Sequence, residues 1–131
     1  MNQHERRTED YFENGERFAT SVKEMYDELE NAGFFKNHPQ LFLTGLAIGI
    51  ITGRKSGKQA DTDIIKVDTY ASSDPYGVFP VYLLAENEGI TQKELARLME
   101  SYADGGVEYL YEEYKDTSEI DFSDLLRLAK K

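Results

Sequence analysis

The sequence predicts an all-α fold: a single compact domain of about five helices around a central apolar helix that contains glycines. The length of 131 residues suits one hydrophobic core. Hydrophobic residues make up 40% of the chain and charged residues 31%, which is typical of a globular protein with a charged surface. Apolar residues recur mainly at helical spacings. We therefore expect one domain over residues 1–131, with residues 1–15 as a candidate frayed segment.

The first predicted helix carries an apolar stripe. Phe18, Val22, Met25 and Leu29 follow one another at spacings of four, three and four residues. This pattern is typical of an amphipathic helix. Gly33 predicts its end, because glycine readily adopts the left-handed conformation that terminates helices.

The second predicted helix begins at Asn37 or His38 and runs to Thr52. Pro39 falls in its first turn, where proline is tolerated because that N–H has no helical partner. The run is apolar on nearly all sides, which predicts a central, buried helix.

Three glycines share one face of this helix: Gly45, Gly49 and Gly53. Glycine lowers helix stability, so three in register indicate that another chain segment approaches closely. We consider a close helix crossing within the chain first and a subunit interface second. Contact with a ligand is a third, smaller alternative.

The middle of the chain is less regular. β-branched residues predict one short strand near residues 64–69. Residues 74–77 have the composition of a turn. Residues 78–86 form either a short helix with Pro80 in its first turn or a buried strand, and their length favours the helix.

The longest predicted helix begins after Thr91, which forms a capping box with Glu94. Its apolar residues stay in one helical phase to about Tyr114. Gly105 and Gly106 argue against an unbroken helix, since each glycine costs about 1 kcal/mol relative to alanine. A last helix is predicted over residues 122–130.

The net charge of −10 is unevenly distributed. Residues 31–60 contain four bases and no acid, whereas the segments on either side are acidic. The total charge disfavours general binding of nucleic acid. Arg54, Lys55 and Lys58 nevertheless form a candidate binding site for a phosphate, a nucleic acid or an acidic partner. The alternative is a solvated loop without a partner.

Known catalytic patterns are not matched. The chain has no cysteine, which excludes disulfides, thiolate nucleophiles and cysteine zinc sites. Gly53 and Gly57 are separated by three residues and Gln59 follows Lys58, so the loop fails the spacing of a P-loop. We expect no enzyme, metal or cofactor. A pocket that joins two carboxylates distant in sequence would favour an enzymatic interpretation.

The longest apolar run, residues 41–52, has 12 residues, whereas a membrane span needs about 20. The first residues lack the basic and apolar regions of a secretory signal. These observations predict a cytoplasmic protein without membrane contact.

Four segments carry a family resemblance: FFKN at 34–37, LFLTGLAIG at 41–49, GRK at 53–55 and YADGGVEYL at 102–110. Together they resemble a group of small prokaryotic proteins encoded beside DNA-phosphorothioation (Dnd-type) and related phage-defence genes. The resemblance implies an accessory factor of a DNA-modification or restriction system. It brings no catalytic residues with it.

Two functional hypotheses follow. The first is a non-enzymatic adaptor that acts by protein–protein contacts, as a homo-oligomer joined through the glycine-faced helix or the long C-terminal helix. Its acidic segments would dock on basic surfaces of a DNA-handling partner or mimic DNA. The alternative is a nucleic-acid-binding protein that uses the loop over residues 53–58.

Overall fold

A computed structural model describes residues 6–121 of the chain. In this part the elements follow in order: a 3-10 helix Thr8–Tyr11, β1 Arg17–Thr20, α1 Lys23–Asn31, α2 His38–Thr52, β2 Thr62–Lys66, α3 Val67–Ala71, α4 Val78–Glu86 and α5 Gln92–Thr117. The predicted helical character is confirmed, with a small antiparallel sheet of β1 and β2 added to it. The helix predicted over residues 122–130 lies outside the described residues.

The core forms where α2 packs along α5, and β1 and α1 also contact α5. Its largest fully buried side chains are Tyr26, Tyr70, Phe18, Phe42, Leu29, Leu41, Leu46, Leu83, Leu95, Met99, Leu110 and Val107. Phe42 stacks on Phe18 with ring centroids 4.8 Å apart, and Tyr70 meets both rings edge to face. This aromatic cluster joins β1, α2 and α3.

Both predicted helix starts are confirmed. The Asn37 side chain accepts the Gln40 N–H at 3.0 Å and so caps α2. At α5, the Thr91 hydroxyl accepts the Glu94 N–H at 3.0 Å, and Glu94 accepts the Thr91 N–H at 2.8 Å. Residues 78–86 form the predicted short helix, α4.

The first predicted helix is wrong in its N-terminal half. Phe18 lies in β1, and α1 begins only at Lys23. Phe18, Val22 and Leu29 are nonetheless buried, so the stripe identified core residues correctly but not their conformation. A four-residue strand is too short to show a clear two-residue period.

The predicted strand near residues 64–69 is shifted. β2 ends at Lys66, and Val67 begins α3. The Val67 N–H still donates to the Glu16 carbonyl at 3.1 Å, after which the chain turns into the helix. Val67 and Tyr70, three residues apart, then share the buried face of α3.

The expected frayed segment over residues 1–15 does not hold for residues 8–12. Thr8 and Phe12 are buried, and the Thr8 N–H donates to the Pro75 carbonyl at 3.0 Å. Phe12 meets Phe18 edge to face with a centroid distance of 5.5 Å. Residues 8–12 are therefore packed against the rest of the chain. Within residues 6–121, no helix is both long and apolar enough to cross a bilayer.

Candidate functional site

The glycines of α2 lie against α5 of the same chain. A Cβ atom on Gly45 would come within 2.6 Å of the Ala103 carbonyl oxygen, and one on Gly49 would overlap the backbone of Tyr102. Of the alternatives, the structure therefore shows a close crossing within the chain at these two positions. Gly53 lies outside this crossing. It ends α2 with a left-handed φ of 71°, and a Cβ atom added to it would have no neighbour within 4 Å.

The two glycines of α5 receive two different neighbours. Gly106 faces the backbone of Gly45, and Gly105 faces the backbone of Arg54 in the loop after α2. Each contact would be blocked by a Cβ atom. This arrangement explains why α5 continues through the glycine pair to Thr117, past the predicted end near Tyr114.

The basic loop is held on α5 by its backbone. The Ser56 N–H donates to the Ser101 carbonyl at 3.0 Å, and the Ser101 hydroxyl donates to the Ser56 carbonyl at the same distance. The loop therefore has a defined position across the middle of α5.

The three predicted cations of this loop point to different places. Arg54 forms a two-pronged ion pair with Glu112, which raises the pKa of Arg54 and lowers that of Glu112 through their shared hydrogen bonds. Lys55 lies over the ring of Tyr102, 5.6 Å from its centroid. Lys58 is exposed and borders two surface cavities away from Arg54 and Lys55. The structure therefore does not gather the three cations into one site.

Sequence reasoning missed a set of polar residues on α5. The outer edge of β1 has no neighbouring strand within residues 6–121. Three side chains of α5 bind this edge instead and are called here the edge-binding set: Arg97, Glu100 and Asp104. Glu100 accepts the Ala19 N–H at 2.7 Å, and Asp104 accepts the Ser21 N–H at 2.8 Å. Arg97 donates to the Arg17 carbonyl at 3.2 Å.

The side chains of α5 match the edge of β1 because the two elements repeat at similar distances along their axes. Alternate residues of a strand direct their backbone groups to the same edge, about 6.6 Å apart. Residues four apart on a helix lie on one face, about 6.0 Å apart along its axis. Ala19 and Ser21 therefore match Glu100 and Asp104 in spacing. The set satisfies backbone groups that would otherwise be buried without a partner.

Burial dominates the electrostatics of these two carboxyl groups. It raises the pKa of Glu100 to about 7, although the Ala19 N–H and Arg97 act in the opposite direction. It also raises the pKa of Asp104, against the hydrogen bonds from Thr20 and Ser21.

Glu100 and Asp104 also line one cavity of about 330 Å³, which Lys58 and Gln59 border from the loop. This is the kind of two-carboxylate pocket that an enzymatic interpretation requires, and a pKa near 7 suits a general acid or base. All four carboxylate oxygens are, however, already bound, by Arg97 and Ala19 on one side and by Thr20 and Ser21 on the other. We therefore interpret the pair as structural.

A second feature that the sequence analysis missed is the outer face of α4. Its opposite face buries Pro80 and Leu83. The outer face carries four exposed apolar side chains in helical register, called here the α4 stripe: Val78, Val81, Tyr82 and Ala85. Val78 is 65% exposed, and Tyr76 extends the apolar surface at 55%. The sequence signal was the absence of any charged residue from position 78 to 85.

Residues 6–121 bring together no group of three or more acidic or histidine side chains that would hold a metal ion. Comparison with known proteins identifies no relative: no protein-family model, no curated protein and no solved structure matches the chain.

Proposed function

We propose that the protein is a non-enzymatic adaptor that acts through protein–protein contacts and that the α4 stripe is its contact surface. The observation that carries this proposal is the concentration of exposed apolar side chains. Of the five large hydrophobic residues exposed in the described part of the chain, four fall between residues 76 and 82. A contiguous apolar surface of this kind is typical of a binding face.

The composition of the surface favours a protein as the partner. Tyr76 and Tyr82 combine an apolar ring with a polar hydroxyl, and tyrosine is enriched at protein interfaces. The stripe itself carries no charge, so it offers nothing to a phosphate backbone. A partner with its own apolar patch would bury Val78 and Val81.

The alternative of nucleic-acid binding through the loop over residues 53–58 receives less support. Arg54 is occupied by Glu112, and Glu108 contributes further negative charge beside it. Two lysines then remain against a net charge of −10. An exposed loop with so few free cations gives weak, salt-sensitive contacts at most.

We infer that α2 is the central helix of the fold and that its glycine face serves the crossing with α5, which leaves it closed to a second subunit. Self-association would then use the α4 stripe. The resemblance to proteins encoded beside DNA-modification genes suggests a DNA-handling protein as the heterologous partner, with basic surfaces that attract this acidic chain.

Co-purification followed by reconstitution tests the proposal. Tagged wild-type protein is isolated from its native host, and each captured protein is then purified and titrated against the wild type and the Val81→Asp variant. Ile51→Asp is the matched control, because Ile51 is 46% exposed and Val81 is 45% exposed, on different helices. We expect Val81→Asp to weaken binding at least about tenfold and Ile51→Asp to leave it within about twofold.

Both variants replace exposed side chains, so we expect their circular dichroism and melting temperatures to match those of the wild type. The proposal would be overturned if the wild-type protein captures no partner and sediments as a monomer at micromolar concentration. Equal binding by Val81→Asp and wild type would remove the α4 stripe as the contact surface.

A further inference from the structure

A shallow groove of about 540 Å³ lies between the basic loop and the first half of α5. Its apolar part consists of Ile90 and Leu98, both half-buried. Lys55 and Ser56 border it from the loop, and Lys93 borders it from the first turn of α5. The groove is separate in its residues from the α4 stripe, and its proposed role does not depend on that stripe.

The charges around the groove are not balanced. Arg97 is engaged by Glu16 and Glu100, and Glu94 is engaged in the capping box of α5. Lys55 and Lys93, by contrast, form no ion pair with any residue in 6–121 and are exposed. Two lysines without an ion-pair partner within residues 6–121 therefore flank an apolar depression, and Glu94 is the one acidic residue in its lining.

The position of the groove wall is fixed before anything binds. The paired hydrogen bonds between Ser56 and Ser101 hold the loop on α5. The backbone of Arg54 also packs closely against Gly105, so the loop cannot move closer to α5. Lys55 therefore projects from a held backbone. Binding to such a surface loses less conformational entropy than binding to a mobile loop.

We propose that this groove binds an acidic peptide segment of a partner protein, with one bulky apolar side chain between carboxylates. The apolar side chain fills the depression at Ile90 and Leu98, and the flanking carboxylates pair with Lys55 and Lys93. Charge complementarity selects this occupant, since a basic or neutral segment would leave both lysines unpaired. A phosphate backbone would meet the lysines without filling the apolar depression.

Fluorescence anisotropy with labelled synthetic peptides tests the proposal on the full chain. The probe is a short peptide in which one leucine lies among glutamates. One control peptide has lysines in place of the glutamates, and a second has a serine in place of the leucine. We expect the probe to bind at concentrations below about 1 mM and both controls to bind at least about tenfold more weakly.

Two double variants separate the groove from the general charge of the protein. Lys55→Glu with Lys93→Glu is expected to weaken probe binding at least about tenfold. Lys36→Glu with Lys66→Glu changes the net charge equally at exposed positions outside the groove, and we expect it to leave binding within about twofold.

Three results would overturn the proposal. One is the absence of probe binding at about 1 mM. Another is equal weakening by the two double variants, which would indicate a non-specific charge effect. The third is that a single-stranded oligonucleotide binds more tightly than the probe, or that the chain self-associates, and that the Lys55→Glu, Lys93→Glu double variant abolishes this binding. Either finding would assign the groove to another occupant.

Discussion

At the scale of single residues, the buried Glu100 makes stability depend on pH. Burial raises its pKa to about 7 in the folded chain, above the ordinary value of 4.5. Between these values the folded state holds a proton that the unfolded state releases. The free energy of unfolding therefore falls as pH rises through this window, and the penalty is complete above it.

We therefore expect the wild type to be about 2 kcal/mol more stable at about pH 5 than at about pH 8. Glu100→Gln cannot ionise, and its amide oxygen still accepts the Ala19 N–H. This variant should lose the part of the difference that comes from Glu100, while the buried Asp104 keeps its own contribution, as measured by urea unfolding at the two pH values. The exposed Glu24→Gln is the control and should keep the wild-type difference. An unchanged pH dependence in Glu100→Gln would contradict the assignment.

Two buried tyrosines provide a matched pair of substitutions. The Tyr26 hydroxyl is buried and has no hydrogen-bond partner within residues 6–121, whereas the Tyr70 hydroxyl donates to Asp74 at 2.7 Å. Burial, with Asp104 and Glu30 nearby, also raises the pKa of Tyr26 well above its usual value, so its hydroxyl stays neutral.

Tyr26→Phe is expected to raise the free energy of unfolding by about 1 kcal/mol, because it removes an unsatisfied buried hydroxyl. Tyr70→Phe is expected to lower it by about 1–2 kcal/mol, because it leaves Asp74 without this donor. Chemical denaturation of both variants measures these changes. Destabilisation by Tyr26→Phe would show that the hydroxyl has a partner in solution.

At the scale of elements, the crossing of α2 and α5 depends on glycine. Alanine would stabilise an isolated helix by about 1 kcal/mol relative to glycine. Gly106 instead touches the backbone of Gly45, so an added methyl group must force the two helices apart. We therefore expect alanine at position 106 to destabilise the protein, whereas helix propensity alone predicts that it stabilises the helix.

We expect Gly106→Ala to lower the free energy of unfolding by at least about 3 kcal/mol. Gly57→Ala, whose Cβ would meet nothing within 4 Å, should change it by less than about 0.5 kcal/mol. Thermal and urea unfolding of the two variants give the comparison. A neutral Gly106→Ala would mean that the crossing is wider than described.

Elements with a local signal were predictable from the sequence. The caps at Asn37 and Thr91 are formed by contacts over three residues, and both helices begin where the sequence indicates. β1 has no comparable signal, because its edge is bound by residues at least 80 positions away, such as Glu100 for Ala19. The edge-binding set was invisible for the same reason: helical spacing placed its members on one face but did not identify the strand.

In the candidate sites, too, local features were predictable and contacts between distant residues were not. Glycine register correctly indicated a close approach at Gly45 and Gly49, yet it could not choose between a contact within the chain and one between chains. The basic loop was visible from charge alone. Its ion pair between Arg54 and Glu112, 58 positions apart, was not.

At the scale of the whole molecule, charge is unevenly distributed. All 25 acidic residues fall outside residues 31–60, the basic loop borders one groove, and the α4 stripe is uncharged. Such a distribution offers chemically different surfaces, which is what the proposed adaptor role requires. The buried carboxylates of α5 bind the edge of β1 and so help to hold the framework that carries these surfaces.

Site-specific photo-crosslinking tests the role of the α4 stripe most directly. A photoreactive phenylalanine analogue replaces Val81 in one protein and Ile51 in another, and both are irradiated in the native host. We expect a discrete adduct, identified by mass spectrometry as a partner protein or a second copy, at position 81 and not at position 51. No adduct at position 81, or the same adduct at both positions, would contradict the role of the α4 stripe as the contact surface.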